Sequence, residues 1–250
     1  MRVILLAAGF GTRLYPLTKD KPKAFLPLGD KPLIDYLIAN VAKIKPRSVT
    51  LITNNRFYES FIFWKSQNKF PFPIHIINNG IDSPSERSGA VLDLYKAFCD
   101  SMSPCQDSLI LSTDNYFEYP LSLFLFHSLH HLPNPAIGVY DVQTKQAARN
   151  YGVVELDHNH HVKRFTEKPS DPSSTVVSVG IYLLPQESHS LLYRYLWRER
   201  KSRDRIGDFI EWLTERTQTL AVPIEGIWKD IGNLETYQAL NQWVGERKNQ

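Results

Sequence analysis

The stretch from Val3 to Lys23 constrains the fold of this chain more than any other. A short apolar run, Val3 to Ala8, ends at Gly9 and Gly11, which predicts a buried strand that closes in a tight glycine loop. Glycines at a strand end let backbone N–H groups approach a phosphate closely, and the Arg13 guanidinium can bind phosphate oxygens through two hydrogen bonds. The stretch therefore predicts a site for a nucleoside triphosphate.

Spacing excludes two well-known phosphate loops. The dinucleotide fingerprint G-x-G-x-x-G requires glycine where Leu14 stands, and the Walker loop requires Gly-Lys-Ser/Thr five residues after its first glycine. Prolines between Tyr15 and Leu28 also interrupt the helix that both motifs need. We therefore expect residues 12–28 to form an extended loop over a ligand, with Lys23 inside it.

The first half of the chain alternates apolar strands with segments of helical period. We predict strands at residues 3–8, 48–53, 73–78 and 108–113, and helices at 31–44, 57–64 and 89–98. Strands that are apolar on both faces favour a mostly parallel, Rossmann-like α/β sheet with helices on both sides. Because ligands bind beyond the carboxyl ends of such strands, residues 9–13, the loop before Gly89, and Asp114 should share one edge.

The second half has more strand and less helix. Strands are predicted at residues 136–142, 151–156, 162–166, 175–184, 220–223 and 226–228, and helices at 191–198, 207–216 and 234–244. Residues 157–160 have the composition of a hairpin turn, so we expect a smaller mixed or antiparallel part. Histidines 158, 160 and 161 are interpreted as a solvated turn and not as metal ligands, since neighbours on a turn diverge. We predict one domain over residues 1–250, with a nucleotide-binding half at 1–115 and a second half at 116–250.

Composition excludes several classes of function. The net charge of the 250-residue chain is only +3, so nucleic-acid binding is not expected, and the basic cluster at 198–203 is interpreted as a solvated connection. The sequence has no apolar run of about 18 residues and no secretion signal, so we expect no membrane span and a cytoplasmic location. Cys99 and Cys105 are interpreted as free thiols.

Residues 6–18, LAAGFGTRLYPLT, and residues 22–27, PKAFLP, resemble the sugar-1-phosphate nucleotidyltransferases. Members of that family begin L-A-A-G-x-G-T-R-L-x-P-L-T and continue to P-K-x-x-x-P. The resemblance implies catalytic roles for Arg13, Lys23 and Lys168. It also implies nucleotide contacts from Ala7, Ala8, Gly9, Gly11, Thr12, Arg13 and Gly89, although Gly89 could equally be a helix start that needs no ligand.

Asp114 and Asp230 are the candidate metal ligands. Two carboxylates that converge on a triphosphate suit Mg²⁺, because this ion prefers oxygen ligands and neutralises phosphate charge. Taken singly, Asp114 could cap a turn and Asp230 could cap the last helix. The family resemblance favours the metal role, since its members carry an aspartate after the fourth strand and a W-x-D-x-G segment like residues 228–232. Thr113 stands where members usually have glycine.

Residues 151–154, YGVV, and 165–169, FTEKP, are similar to the family's sugar-phosphate site. The resemblance implies that Gly152 allows close approach of the sugar, that Glu167 accepts sugar hydroxyls, and that Lys168 binds the sugar phosphate. On composition alone, Glu167 and Lys168 could form an exposed ion pair that contributes little to folding stability. Residues 178–182, SVGIY, resemble the strand that lines the sugar pocket, without the usual asparagine before its glycine.

The resemblance implies an Mg²⁺-dependent enzyme that joins a nucleoside triphosphate to a sugar-1-phosphate and releases pyrophosphate. The glucose-1-phosphate thymidylyltransferases are the most similar subfamily. Guanylyl, cytidylyl or uridylyl transfer, phosphocholine as acceptor, and a non-catalytic regulatory subunit are the alternatives, and assembly into a homo-oligomer is left open. We expect no C-terminal β-helix.

Overall fold

The computed structural model describes residues 1–100 and 106–248. The strands are β1 (Arg2–Leu6), β2 (Pro27–Leu28), β3 (Lys31–Pro32), β4 (Ser48–Thr53), β5 (Ile74–Asn78), β6 (Ser108–Ser112), β7 (Asn115–Phe117), β8 (Ala136–Asp141), β9 (Gly152–Leu156), β10 (Val162–Glu167), β11 (Val176–Leu184), β12 (Leu220–Pro223) and β13 (Trp228–Asp230). The helices are α1 (Leu33–Lys43), α2 (Asn55–Gln67), α3 (Ala90–Phe98), α4 (Leu121–Ser128), α5 (Lys145–Ala148), α6 (Ser188–Tyr193), α7 (Ile206–Thr214) and α8 (Leu234–Lys248).

A single sheet of nine strands organises the molecule, and its main path runs β10-β9-β11-β6-β1-β4-β5. The four strands that were predicted in the first half, β1, β4, β5 and β6, pair in parallel, as predicted. The second half continues the same sheet, because β11 pairs antiparallel with β6. The predicted hairpin is confirmed as the antiparallel pair β9 and β10.

Helices cover both faces of the sheet. Successive residues of β1 alternate between two hydrophobic clusters, with Val3 and Leu5 in one and Ile4 in the other. The first cluster includes Leu37 of α1 and Phe61 of α2, and the second includes residues of α3 and α7. This alternation confirms the predicted α/β arrangement, since side chains of a strand point to opposite faces in turn.

A third, smaller cluster fixes the segment that follows the glycine loop. Leu14 and Leu26 are buried with Ile231, Tyr237 and Leu240. The Tyr237 hydroxyl also donates to the carbonyl of Pro27 at 2.7 Å. Residues 12–28 therefore pack against α8. They were predicted to form an extended loop, and they also include two single 3-10 turns.

Some elements differ from the sequence-based prediction. β7, α4 and α5 were not predicted, and the helix predicted at 191–198 divides into α6 and a π-helical turn at Arg194–Arg198. The short strand predicted at 226–228 runs instead from Trp228 to Asp230. Among the described helices, none combines the length and apolar character that crossing a membrane would require. Cys99 is a free, exposed thiol, as predicted, and Cys105 lies outside the described residues.

Candidate functional site

The glycine loop after β1 is fixed by hydrogen bonds. Gly11 adopts a left-handed conformation with φ of 65°, which favours glycine, and its carbonyl accepts a hydrogen bond of 2.7 Å from the Thr18 hydroxyl. The Asn54 side-chain amide donates to the carbonyl of Ala8 at 3.0 Å. The loop is thus preformed, and its conformation requires the glycine that the sequence provides.

A cleft of about 410 Å³ lies over this loop. Its lining includes nearly all of the residues predicted for the nucleotide, the metal and catalysis: Ala8, Gly9, Gly11, Thr12, Arg13, Lys23, Gly89, Asp114, Lys168 and Asp230. Ala7 instead lines a second cavity of about 250 Å³, which shares Ala8, Gly9 and Asp114 with the first. The fold therefore brings together residues that are more than 200 positions apart in the sequence.

Strand pairing places the two candidate metal ligands side by side. In the antiparallel pair of β7 and β13, Asp230 lies opposite Asn115, the residue after Asp114. The Ile231 N–H donates to the Asp114 carbonyl at 3.0 Å, which extends the pairing past the carboxylates. The Trp228 indole N–H also donates to the Asn115 side chain at 3.2 Å. Neither β7 nor the full extent of β13 was predicted, so this pairing is a result of the structure alone.

Opposite charges surround the carboxylates. The Lys23 ammonium lies 3.1 Å from Asp114 Oδ2. Burial, followed by the negative charge of Asp114, raises the pKa of Asp230 to about 6, while the positive charges of Lys23, Lys168 and Arg13 oppose this rise. The other four charged side chains predicted from the sequence therefore all lie near enough to Asp230 to act on it.

The donor set fits Mg²⁺. Asp114 and Asp230 both line the cleft over the glycine loop, which matches the way this ion is usually bound, by one or two carboxylates together with waters and substrate phosphates. Residues 1–100 and 106–248 contain no group of three or more His, Cys, Asp or Glu side chains placed to hold a metal ion by themselves. The histidines at 158–161 lie on a turn stabilised by Asp157, whose carboxylate accepts from the N–H groups of Asn159 and His161, in agreement with the predicted hairpin turn.

A third cavity, of about 300 Å³, adjoins the main cleft. It contains the predicted residues Gly152, Glu167 and Lys168, and it shares Lys168, Asp204 and Asp230 with the main cleft. Lys168 follows β10 in a left-handed conformation, with φ of 49°, which is uncommon for a residue other than glycine. Lys168 lies on the wall that the main cleft and the third cavity share.

Glu167 is held tightly in the third cavity. Its side chain is only 8% exposed, and Arg205 Nε lies 4.0 Å from its carboxylate. Burial raises the pKa of Glu167. A Cβ on Gly207, the second residue of α7, would lie 2.0 Å from Glu167 Oε2. The carboxylate therefore packs directly against the start of α7.

Packing explains two of the predicted glycines. A Cβ on Gly152 would lie 2.2 Å from the Phe165 ring, so glycine is required there by a neighbouring side chain. At Gly89, φ is 88° and a Cβ would lie 2.0 Å from the Arg203 carbonyl oxygen. The segment at 203–204 also accepts hydrogen bonds from the N–H groups of Ala90 and Val91. Arg203 belongs to the basic cluster at 198–203, whose side chains are mostly exposed, as expected of a solvated connection. The backbone of residues 203–204 has the further role of capping α3.

Sequence reasoning missed Asp93, Asp204, Arg205 and Gly207, which all line the cavities. A signal for Asp93 was present, since it is an acid among the apolar residues that α3 buries. Asp204 and Arg205 gave no comparable signal, because they stand in a run of exposed charged residues. Thr113, the departure from the family pattern, is buried, and its hydroxyl donates to the Leu6 carbonyl at 2.9 Å.

Comparison with known proteins gives one consistent family. The family model described as "Nucleotidyl transferase" matches residues 2–247. A bifunctional sugar-1-phosphate nucleotidylyltransferase/acetyltransferase from Sulfurisphaera tokodaii is 30% identical over 244 residues, which cover 98% of this chain and 55% of that protein. A glucose-1-phosphate adenylyltransferase from Bacillus cereus is 26% identical over 254 residues, covering 95% of this chain and 66% of the relative.

The fold also matches a solved structure. A crystal structure of a Bacillus anthracis protein assigned as a glucose-1-phosphate thymidylyltransferase, in complex with a sucrose, superposes with a TM-score of 0.85 at 22% identity. The match covers 98% of this chain and 96% of the other. Among the curated relatives, by contrast, this chain spans between about half and two thirds of their length.

Proposed function

Because the chain belongs to the nucleotidyl transferase family, we propose that it joins a nucleoside triphosphate to a sugar-1-phosphate, giving a nucleotide-sugar and pyrophosphate. The observation that carries this proposal is the pair of adjoining cavities that share Lys168 and Asp230. One cavity lies over a glycine loop and the other contains an acid suited to hydroxyl groups. Two phosphate-bearing substrates would meet at the shared wall.

The glycine loop and Arg13 would hold the triphosphate. Backbone N–H groups near Gly9 and Gly11 can approach phosphate oxygens, and the guanidinium would stabilise the departing pyrophosphate. Lys168 would bind the phosphate of the acceptor sugar from its position between the two cavities. Glu167 would accept hydrogen bonds from sugar hydroxyls in the third cavity.

The reaction needs positioning more than a covalent intermediate. An oxygen of the sugar phosphate forms a bond to the α-phosphorus, while the bond from that phosphorus to the oxygen bridging to the β-phosphate breaks. The two anions repel each other, so Lys23 and Lys168 would lower the cost of bringing them together. Asp114 and Asp230 would hold Mg²⁺, which supplies neutralising charge to the phosphates.

The names of these two relatives do not agree on a base. They include an adenylyltransferase and a protein assigned as a thymidylyltransferase. Glucose-1-phosphate appears in both names and is the first acceptor to test. The thymidylyltransferase-like specificity indicated by the sequence resemblance stays a prediction.

Pyrophosphate release tests the proposal. Triphosphates of the five common bases would each be combined with glucose-1-phosphate, other sugar-1-phosphates and phosphocholine, with Mg²⁺ and with chelator. We expect release with at least one sugar-1-phosphate, dependent on metal, and its loss in Lys168→Ala but not in Lys145→Ala, a lysine outside the cavities. Nucleotide binding without release for any acceptor would contradict the proposal and favour a non-catalytic subunit.

A further inference from the structure

A loop of the main cleft, residues 79–88, has both of its ends bound to one buried carboxylate. The loop follows β5 and leads to Gly89, the residue before α3. Its conformation shapes part of the main cleft. Five residues of the loop line that cleft: Asn79, Ile81, Pro84, Arg87 and Ser88.

Asp93, in the first turn of α3, supplies the carboxylate. It is only 6% exposed. Its Oδ1 atom accepts hydrogen bonds from the Ser88 hydroxyl at 2.7 Å and from the Asn79 side-chain amide at 3.0 Å. The same Asn79 amide nitrogen lies 3.3 Å from Ser88 Oγ. Asp93 therefore holds the first and last residues of the loop together, through hydrogen bonds to a carboxylate, which are stronger than those between neutral groups.

The beginning of the loop has further connections to the fold. The Asn79 Oδ1 atom accepts from the Ile81 N–H at 3.0 Å, and the Asn79 carbonyl accepts from the Lys96 ammonium at 2.6 Å. Asn79 is itself buried. Two side chains of α3, those of Asp93 and Lys96, therefore fix this end.

The other end of the loop depends more on Asp93. The Arg87 guanidinium lies 3.1 Å from the Asp204 carboxylate, but the two side chains are 67% and 47% exposed, and an exposed pair of this kind contributes little. The Ser88 hydroxyl bond to Asp93 joins this end to the interior. A loop with few buried contacts opens at a small cost in free energy, so loss of this bond should release residues 80–88.

We propose that Asp93 is a positioning residue, which acts through Asn79 and Ser88 to hold residues 79–88 in the conformation that receives the nucleoside triphosphate. The proposal rests on the proposed function, which assigns the main cleft to the triphosphate. Without Asp93, the loop would have to become ordered each time a nucleotide binds, and that loss of freedom weakens binding.

Limited digestion with trypsin measures the loop directly. Arg87 is the one lysine or arginine among residues 79–88, so cleavage after Arg87 reports on opening of the loop. Asp93→Ala should speed this cleavage by about tenfold, the effect of losing a hydrogen bond to a charged group. Cleavage after Lys69, in the exposed segment between α2 and β5, is the control within the same digest. Equal rates after Arg87 in wild type and Asp93→Ala would overturn the proposal, and so would equal acceleration at both sites, which indicates general destabilisation.

Steady-state kinetics separate the loop from the rest of the site. With the substrates that give the highest wild-type turnover, Asp93→Ala should raise KM for the triphosphate by about tenfold and leave kcat within about threefold. KM for the sugar phosphate should stay within about twofold of wild type, because the third cavity is lined by residues other than Asn79, Ser88 and Asp93. Asp93→Asn should give an intermediate KM, since its amide oxygen can accept the same two hydrogen bonds. Glu86→Gln, which alters an exposed carboxylate of the loop, should match wild type.

A direct role for Asp93 in the reaction is the alternative that kinetics exclude or establish. Asp93 also lines the second cavity, together with Lys23 and Asp114. If it acted on those groups, Asp93→Ala would lower kcat and leave KM for the triphosphate unchanged. That result would contradict a positioning role.

A double-mutant cycle tests whether Asp93 acts through the loop. Ser88→Ala should raise KM for the triphosphate by about threefold in the wild-type background. It should have little further effect in Asp93→Ala, because the acceptor of its hydrogen bond is already absent. Independent, additive effects would argue against the proposal. Ser88→Ala also tests it by itself if Asp93→Ala does not fold, since unchanged cleavage after Arg87 in Ser88→Ala would be a contrary result.

Failure of the proposed function can be distinguished from failure of this inference. Trypsin digestion and calorimetric titration with ATP, GTP, CTP, UTP and dTTP need no acceptor, so they remain informative if no acceptor gives turnover. Faster cleavage after Arg87 together with weaker nucleotide binding in Asp93→Ala would support the positioning role even then. Faster cleavage with unchanged nucleotide affinity would show that the loop does not receive the nucleotide, and the positioning role would be wrong.

Discussion

The ammonium of Lys23 lies 3.1 Å from the carboxylate of Asp114, although the two residues are 91 positions apart. The lysine side chain is 15% exposed, so the ion pair is partly shielded from water. The pair joins the loop after the glycines to the end of the central sheet. It also places the candidate catalytic lysine beside a candidate metal ligand.

Lys23→Ala should lower kcat by roughly two orders of magnitude, because an ammonium between two phosphate-bearing substrates acts most strongly in the transition state. Steady-state kinetics and thermal melting would measure the effect, with Lys21→Ala, an exposed lysine of the same loop, as the control. The melting temperature should change little, since no core packing is lost. Wild-type kcat and KM in Lys23→Ala would remove this residue from the site.

Asp114→Asn and Asp230→Asn should each reduce turnover by about two orders of magnitude or more, because each removes one charge from the proposed Mg²⁺ site. Mg²⁺ titrations of the rate should show half-maximal turnover at a higher Mg²⁺ concentration in both variants, because each has lost one oxygen ligand. Asp171→Asn, an exposed carboxylate outside the cavities, serves as the matched control. Full activity in chelator would contradict the metal assignment.

Arg13→Ala and Lys168→Ala should separate the two substrates. Arg13 lines only the cleft over the glycine loop, so its loss should mainly impair use of the triphosphate. Lys168 also lines the third cavity, so its loss should mainly raise KM for the sugar phosphate. Varying each substrate at saturation of the other checks this division. The same loss for the same substrate in both variants would show that the division is wrong.

Gly207→Ala should displace the Glu167 carboxylate, because the new methyl group would lie 2.0 Å from Glu167 Oε2. We expect KM for the sugar phosphate to rise by about tenfold and the melting temperature to fall by a few degrees, as for other overpacked sites. KM for the triphosphate should stay within about twofold. Gly245→Ala is the control, since no atom lies near its position, and an unchanged sugar-phosphate KM would remove Glu167 from sugar binding.

Stability should fall as the pH drops below about 6.5, in part through His189. Burial and the nearby charge of Arg2 lower the pKa of His189 from 6.5 to about 4, and the Arg2 guanidinium lies 3.3 Å from its Nε2 atom. Between these values the unfolded chain binds more protons than the folded one, so stability is lost on acidification. Urea unfolding at pH 7, 5.5 and 4.5 would show a shallower decline in His189→Gln than in wild type or in His130→Gln. A decline of equal slope in all three would contradict this account.

The sequence alone determined the parallel half of the sheet and the glycine loop. Runs such as residues 3–6 are apolar on both faces, and a strand of that kind has few alternatives to burial between two helical layers. The loop was predictable because glycine permits the left-handed turn that the backbone makes at Gly11, and because prolines stop a following helix. These are local constraints, which the identities of neighbouring residues impose.

Sheet topology alone predicted that residues 9–13, the loop before Gly89, and Asp114 share one edge. The roles of Gly152, Glu167 and Lys168 were predicted only through the family resemblance, and only the fold positions all of these residues. Asp114 and Asp230 are neighbours because β7 pairs with β13, two strands of three residues each that carry almost no periodic signal. Gly89 packs against the backbone at 203–204, and Gly207 packs against the Glu167 carboxylate. Each partner is remote in sequence from its glycine.

The same contrast explains Asp93. Its position in the apolar period of α3 marked it as unusual, but the sequence could not tell whether its carboxylate was satisfied internally or open to a ligand. The tertiary structure satisfies one oxygen of this carboxylate, Oδ1, with hydrogen bonds from the Asn79 amide and the Ser88 hydroxyl. Local patterns fix which residues are buried, whereas the partners of a buried polar atom depend on contacts between distant segments that no local pattern encodes.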